Sequence, residues 1–340
     1  MISFKNDYSE GAYSSILEKI IQENTVQNTG YGEDAHCQKA IKAIQKKLNC
    51  FDCSIHFLVG GTQTNLIVIS HCLKPYQAVI AAESGHINVH ETGAIEATGH
   101  KVIAMPSKDG KLSVKMVEKA LSTHTDEHMV QPKMVYISNP TEVGTLYSKK
   151  ELEQLRDFCK QKDLLFYLDG ARMASALAAS FNDIALEEYQ NLVDILYIGG
   201  TKCGALFGEA VVFFKKTLEE DFRFSIKQKG AMLAKGWLLG IQFETLFENN
   251  LYEKLGKHSN AMAENIQKAI AQKGYGFQFP PCSNQLFPIF PDEVFKKLEQ
   301  QFEFTFWEKI DDSHTSVRIV TSWATKEEDV KQLIEAIQKA

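Results

Sequence analysis

Seven apolar runs of strand length punctuate the chain, at Ile55–Val59, Ala78–Ala82, Lys101–Met105, Met134–Ser138, Leu164–Asp169, Ile195–Ile198 and Ala210–Phe214. Between most of them lie segments whose apolar residues recur at helical spacing: Thr64–Cys72, Val89–Thr98, Val114–Leu121, Lys149–Gln161 and Leu186–Asn191. A strand that is apolar throughout, rather than at every second residue, is buried on both faces. Alternation of such strands with helices therefore predicts an α/β fold, a mostly parallel seven-stranded sheet covered by helices on each side. Only Lys202–Glu209 separates the last two runs, too few residues for a helical crossover, so that pair is expected to be antiparallel and the sheet mixed. Ligands of such sheets gather at the carboxyl ends of the strands, which is where chemistry is to be sought.

The pattern changes beyond Phe214. Helical stretches at Leu233–Asn249 and Tyr252–Gln272 lead to short strands at Gly276–Phe279, Gln285–Ile289 and Ser316–Val320 and to a closing helix at Lys326–Lys339. This predicts a large domain over residues 1–245, with an N-terminal arm of about residues 1–20, and a smaller C-terminal α+β domain over 246–340. A substrate cleft between them is expected. With a net charge of −6 and no block of like charges, the chain lacks the electrostatic footprint of a nucleic-acid or anionic-membrane partner. It has no charged start followed by an apolar stretch and no run of membrane-spanning length, so a cytoplasmic location is the expectation. Seven scattered cysteines fit a reducing compartment. Cys50 and Cys53 form a lone CxxC with no second pair, which reads as packing, and no metal site is expected.

Two strand ends carry unusual side chains. Asp169 closes one run in Leu-Phe-Tyr-Leu-Asp-Gly-Ala-Arg, and Lys202 follows the next in Gly-Gly-Thr-Lys-Cys-Gly. On neighbouring strands both would emerge at one sheet edge. The lysine is an amine able to condense with an aldehyde, and the aspartate a carboxylate able to hold a ring nitrogen protonated, which is what pyridoxal 5'-phosphate requires of a protein. Lysine is rarely buried without such a purpose. A buried aspartate needs a cation nearby, and Arg172 is a second candidate for that partner. Gly60-Gly61-Thr62-Gln63 follows a strand and opens a helix, so its backbone N–H groups, the positive helix end and the Thr62 hydroxyl suit a phosphate.

Several segments, in this order and spacing, carry a resemblance. Gly30-Tyr-Gly-Glu-Asp34, Gly60-Gly-Thr-Gln-Thr-Asn65, Glu83-Ser-Gly-His86, Leu168-Asp-Gly-Ala-Arg172, Gly200-Thr-Lys202 and Val317-Arg-Ile-Val-Thr-Ser322 resemble the threonine aldolase and β-eliminating lyase group of pyridoxal-phosphate enzymes. The resemblance implies the aspartate-aminotransferase-like fold, a three-layer α/β/α sandwich, and assembly as a homodimer or homotetramer with shared active sites. It further implies that His86 stacks on the cofactor ring, that Asp169 pairs with the ring nitrogen, and that Lys202 holds the cofactor covalently. Gly60, Gly61, Thr62 and Thr201 would contact the phosphate. Arg172 would reach a substrate carboxylate or cofactor oxygens, and Arg318 would clamp that carboxylate with Asn6, which stands where many relatives have serine. His86 and His128 are the proton-transfer candidates, His90 and Glu91 follow on the same face, and Tyr31 is expected at the active site, by way of a neighbouring subunit. Leu233 takes the place of a phosphate-contacting arginine, for which Lys229 or Lys235 would have to substitute. The small-molecule substrate implied is a β-hydroxy-α-amino acid, cleaved as by a low-specificity L-threonine aldolase to glycine and an aldehyde. The competing readings are β-elimination on an aromatic or sulfur-containing amino acid and a catalytically idle protein of the same scaffold.

Overall fold

The computed structural model describes all 340 residues. After a two-residue strand β1 (Ile2–Ser3) come β2 (Ser54–Leu58), β3 (Gln77–Ala82), β4 (Lys101–Met105), β5 (Gln131–Ser138), β6 (Leu165–Gly170), β7 (Ile195–Gly199) and β8 (Glu209–Phe213). These last seven form one sheet in the order β2-β8-β7-β6-β5-β3-β4. β8 runs antiparallel to both neighbours, as its short connection requires, and every other pairing is parallel. Adjacent residues of a strand fall into different cores. Ile80, Leu168, Leu196 and Val212 belong to the one of 44 residues, Val79, Tyr167, Tyr197 and Val211 to the one of 20. Because successive side chains leave a strand on opposite faces, this division places one core on each side of the sheet, the expected three layers.

Two helices precede the sheet where no segment was singled out in the sequence, Ser14–Glu23 and Ala35–Leu48. The Asp34 carboxylate caps the second by accepting from the Cys37 N–H at 2.8 Å, and Asn49 ends it in the left-handed region at φ 49°. The helix expected over Val89–Thr98 does not form as one piece. A four-residue helix His86–Val89 stops, Thr92 and Gly93 adopt φ of 53° and 70°, and a single 3₁₀ turn Glu96–Thr98 follows. Two consecutive residues in the left-handed region break the hydrogen-bond ladder whatever the apolar spacing.

The C-terminal region holds β9 (Gln285–Leu286), β10 (Ile289–Pro291), β11 (Phe302–Glu303), β12 (Thr305–Asp311) and β13 (His314–Val320). β13 pairs antiparallel with β9, β10 and β12, while β1 joins β11 in parallel. The expected strand Gly276–Phe279 is reduced to one bridge between Phe277 and Pro288. The helix Leu251–Gln272 links two cores. Tyr252 and Leu255 sit in the large sheet's core, whereas Met262, Ile266 and Ile270 pack with Phe4, Phe290 and Leu333 in a third. The buried face of one helix thus serves both bodies, with the polar Ser259 and Asn260 between its two apolar parts, and the first residues of the chain pack with the C-terminal one.

That helix lies hard against the segment after β6: a Cβ built on Gly256 would stand 2.1 Å from the Ala174 carbonyl oxygen. Gly256→Ala is expected to cost about 3 kcal/mol through forced separation of the two helices. Urea unfolding followed by circular dichroism measures it, and an unchanged midpoint would contradict the close packing.

Candidate active site

The carboxyl ends of β6 and β7 bring together what the sequence placed there. Asp169 is buried and accepts three hydrogen bonds, from the Tyr136 hydroxyl (2.7 Å), Asn65 Nδ2 (3.1 Å) and the Ala171 N–H (2.9 Å). All three donors are neutral, so the carboxylate has no cation bonded to it. Lys202 stands in the 3₁₀ turn Thr201–Cys203 just after β7, lines the same cleft as Asp169, and its amine makes no hydrogen bond to the chain. Burial first, and then the Arg172 guanidinium, hold this amine below the usual lysine range against the opposing pull of Asp7, Asp169 and Glu209. A lysine so placed is more often the free nucleophile.

Arg172 does not pair with Asp169. Its Nε and Nη2 grip Asp7 at 2.7 and 3.0 Å, and Asn284 donates to the same carboxylate at 3.0 Å. The N-terminal arm therefore anchors this guanidinium from the far end of the sequence. Arg318 on β13 donates from Nη2 to the Lys5 carbonyl at 3.4 Å, while its Nε has no partner. Burial, and next the nearby charge of Arg172, hold Arg318 below its ordinary range. Arg318, with one donor unpaired beside a second guanidinium, marks a place for an anion.

At the end of β2 the helix Gly61–Cys72 begins at Gly60 in extended conformation, with no side chain capping it. Its first N–H groups are thus left for a ligand, and the helix dipole favours a negative one. A Cβ on Gly61 would lie 3.0 Å from the Tyr197 hydroxyl and would narrow this turn, whereas Thr62 is exposed. His86 opens its short helix with Nδ1 2.7 Å from Glu91 Oε1. The Glu91 side chain is fully buried and also takes Asn65 Nδ2 at 2.7 Å, so the Asn65 amide bridges the carboxylates of Glu91 and Asp169. A carboxylate partner places the proton on Nδ1 and leaves Nε2 free.

A family description, beta-eliminating lyase, matches residues 11–288. The chain belongs to that family. It is similar to the low specificity L-threonine aldolase of Pseudomonas sp. (strain NCIMB 10558), 28% identical over 333 residues that span 97% of this chain and 95% of the relative. The threonine aldolase of Leishmania major superposes with a TM-score of 0.98 at 47% identity, covering 100% of this chain and 99% of that one. An aspartate aminotransferase of Thermus thermophilus, at TM-score 0.73 and 13% identity over 100% and 91% of the two chains, shares the fold alone. The chain is accordingly a pyridoxal-phosphate-dependent lyase, and the residues at the strand ends fit that cofactor. A free amine, a buried carboxylate without a cation and an uncapped helix start are the three attachments it needs.

Within one chain, His128 and Tyr31 lie away from this cleft, and Asn6 and Thr201 are engaged with neighbouring groups. His128 precedes the first residue of β5, at the sheet edge opposite Asp169. At about 3.3 Å per residue, the strand separates it from Ser138 by roughly 25 Å. Tyr31, at φ 60°, lines a second groove with Leu233 and Met232, and Lys227 Nζ stands 4.7 Å from its ring centroid. The side-chain oxygen of Asn6 turns back to the Tyr8 N–H and the Ser9 hydroxyl. Thr201 donates its hydroxyl to Glu209 Oε1 at 2.7 Å, and burial pushes that carboxyl up to about 7. Lys229 and Lys235, the candidates to replace an arginine at Leu233, are exposed.

Glu142, which no sequence motif marks, also stands here. It lines the cleft with Lys202 and His86, and its Oε1 accepts from the His86 backbone N–H at 2.9 Å and the Ser138 hydroxyl at 2.6 Å. The rule that chemistry follows each strand end covers it, since it stands four residues past the end of β5.

Proposed function

We propose that the enzyme is a low-specificity L-threonine aldolase that cleaves L-threonine and L-allo-threonine to glycine and acetaldehyde. The observation that carries this reading is the pairing, at one sheet edge, of a free amine on Lys202 with a buried Asp169 that has no cation of its own. The matched relatives named threonine aldolases support it along nearly the full chain. Pyridoxal phosphate, when bound, supplies an electron sink for the pair left at the substrate α-carbon. Lys202 Nζ, free of bonds to the protein, would hold it covalently. Asp169 would keep the ring nitrogen protonated, His86, held by Glu91, would stack on the ring, and the Gly61–Cys72 helix start would hold the phosphate with Gly60, Gly61 and Thr62. Arg172, locked by Asp7, and Arg318 would orient the α-carboxylate of the substrate.

Two or four copies are proposed to share their sites, because the groove of Tyr31 and Leu233 has no residue in common with the cleft of Lys202 within one chain. No helix is long and apolar enough to cross a membrane. Seven free cysteines support the cytoplasm as the working compartment.

The family description favours one competing reading, β-elimination. Incubation with L-threonine, L-allo-threonine, L-tryptophan and L-cysteine separates the two. The expected result is acetaldehyde and glycine from the first two, without ammonia. Pyruvate and ammonia from the last two in place of acetaldehyde would establish elimination, and neither product, with no cofactor retained, would leave an idle scaffold.

A further inference from the structure

The cleft holds one carboxyl that the roles above leave unused. Asp7 is committed to Arg172, Glu91 to His86 and Asn65, and Asp169 to its three neutral donors. Glu142 has no cationic partner: Oε1 is held by the Ser138 hydroxyl and the His86 N–H, and Oε2 bonds to nothing in the chain. Its side chain faces the space between Lys202, His86 and Arg172. Burial, the largest influence, raises it above the ordinary carboxyl range, with the Asp169 charge adding to that and the Ser138 hydroxyl and His86 opposing. The other groups around it are Arg172 and the hydroxyls of Tyr136 and Tyr147, all of which feel its charge.

We propose that Glu142 is the catalytic base that takes the β-hydroxyl proton of the substrate. The inference rests on the aldolase reading. In cleavage, Oε2 accepts the hydroxyl proton and the O–H electron pair becomes the second bond of the aldehyde carbonyl. The Cα–Cβ bond breaks with its pair kept at the α-carbon, which takes up a proton to complete glycine, and Glu142 returns its own proton to water. Of the two histidines expected for this task, His128 lies, within one chain, at the far end of β5 from the cleft, and the His86 ring is given to the cofactor face and Glu91. His86 instead positions the base, through its backbone N–H. A carboxyl moved toward neutrality exchanges a proton with a hydroxyl more readily near neutral pH than an ordinary one does. Elimination from an aromatic or sulfur-containing amino acid has no β-hydroxyl proton to remove, so this role of Glu142 belongs to aldol cleavage.

The test uses the holoenzyme and Glu142→Gln, which keeps an oxygen for Ser138 and the His86 N–H but cannot take a proton. The expected result is a fall in threonine-cleavage kcat of about 10²-fold or more. Exchange of the glycine α-proton with deuterium oxide, read by nuclear magnetic resonance, should stay within about threefold, since no hydroxyl proton moves in it. The visible band of the bound cofactor and the glycine dissociation constant titrated from it should not change. Loss of cleavage and exchange together, or cleavage at the wild-type rate, overturns the assignment. Ser138→Ala provides a second measurement: it removes a hydrogen bond that lowers the Glu142 pKa, so the acidic limb of kcat/KM should move to higher pH. An unmoved limb also overturns it. If the wild-type enzyme itself releases no aldehyde from either threonine isomer, the aldolase reading falls and takes this proposal with it. If the wild type cleaves and Glu142→Gln cleaves equally, only the role of Glu142 falls.

Discussion

Lys202→Ala is expected to lower the cleavage rate by at least about 10⁴-fold, the scale on which an enzyme loses activity when its covalent residue is removed. The argument is geometric before it is chemical. The amine emerges one turn beyond β7, shares a cleft with Asp169, and spends none of its three donors on the protein. A lysine kept for structure would be paired, because an unpaired ammonium out of water is costly. Lys202→Arg sharpens the test, since it preserves the positive charge and removes the nucleophile. Both variants should be colourless or easily made so on dialysis, and borohydride treatment should leave residue 202 without the covalent label that the wild type acquires. A Lys202→Arg enzyme within tenfold of the wild type would show that charge alone is required and that the cofactor is held without a bond to this side chain.

Much of this arrangement was legible in the sequence because buried parallel strands are written as unbroken apolar runs. β3, β7 and β8 are buried at every residue, and the end of such a run points directly to Asp169 and Lys202. β12 went unrecognised for the opposite reason. It is an edge strand of the small sheet whose residues are mostly exposed, so Thr305–Asp311 carries charged residues where an apolar period would have been the signal. The helix of Ala35–Leu48 does carry an apolar stripe, and its cap at Asp34 lay inside a segment already singled out for the family resemblance. What no local pattern discloses is pairing across the chain. Arg172 was an obvious partner for Asp169 three residues away, yet it bonds to Asp7, 165 positions earlier, because the arm returns over the cleft. Glu142 depends in the same way on the N–H of His86, 56 positions away. The Asn65 amide joins Glu91 and Asp169, 26 and 104 positions away, only once its helix is packed on the sheet. His128 precedes β5, and the length of that strand sets it, within one chain, at the edge of the sheet opposite Ser138.

Asp169→Ala separates the second attachment from the first. The carboxylate sits among neutral donors, so its charge is balanced only when a cation comes to it, and a protonated ring nitrogen is such a cation. Without that charge the nitrogen loses its proton, and the ring draws electrons from the α-carbon far less well. A fall in cleavage rate of about 10³-fold is expected, of the size that follows loss of one preorganised charge contact in a water-excluded site. Lys202 is untouched in this variant, so borohydride should still label it, which distinguishes a damaged electron sink from a missing cofactor. Stability provides an independent reading. Cofactor binding raises the melting temperature by mass action, in proportion to how much better the folded protein binds it than the unfolded chain. In the wild type the ring nitrogen relieves an unbalanced buried charge. In Asp169→Ala that relief is gone: the Tyr136 hydroxyl is left without its acceptor and the Asn65 amide keeps only Glu91. The rise in melting temperature on adding cofactor should therefore be clearly smaller in the variant at matched concentrations. An equal rise, together with cleavage within tenfold of the wild type, would show that Asp169 serves only to hold Tyr136 and Asn65 in place.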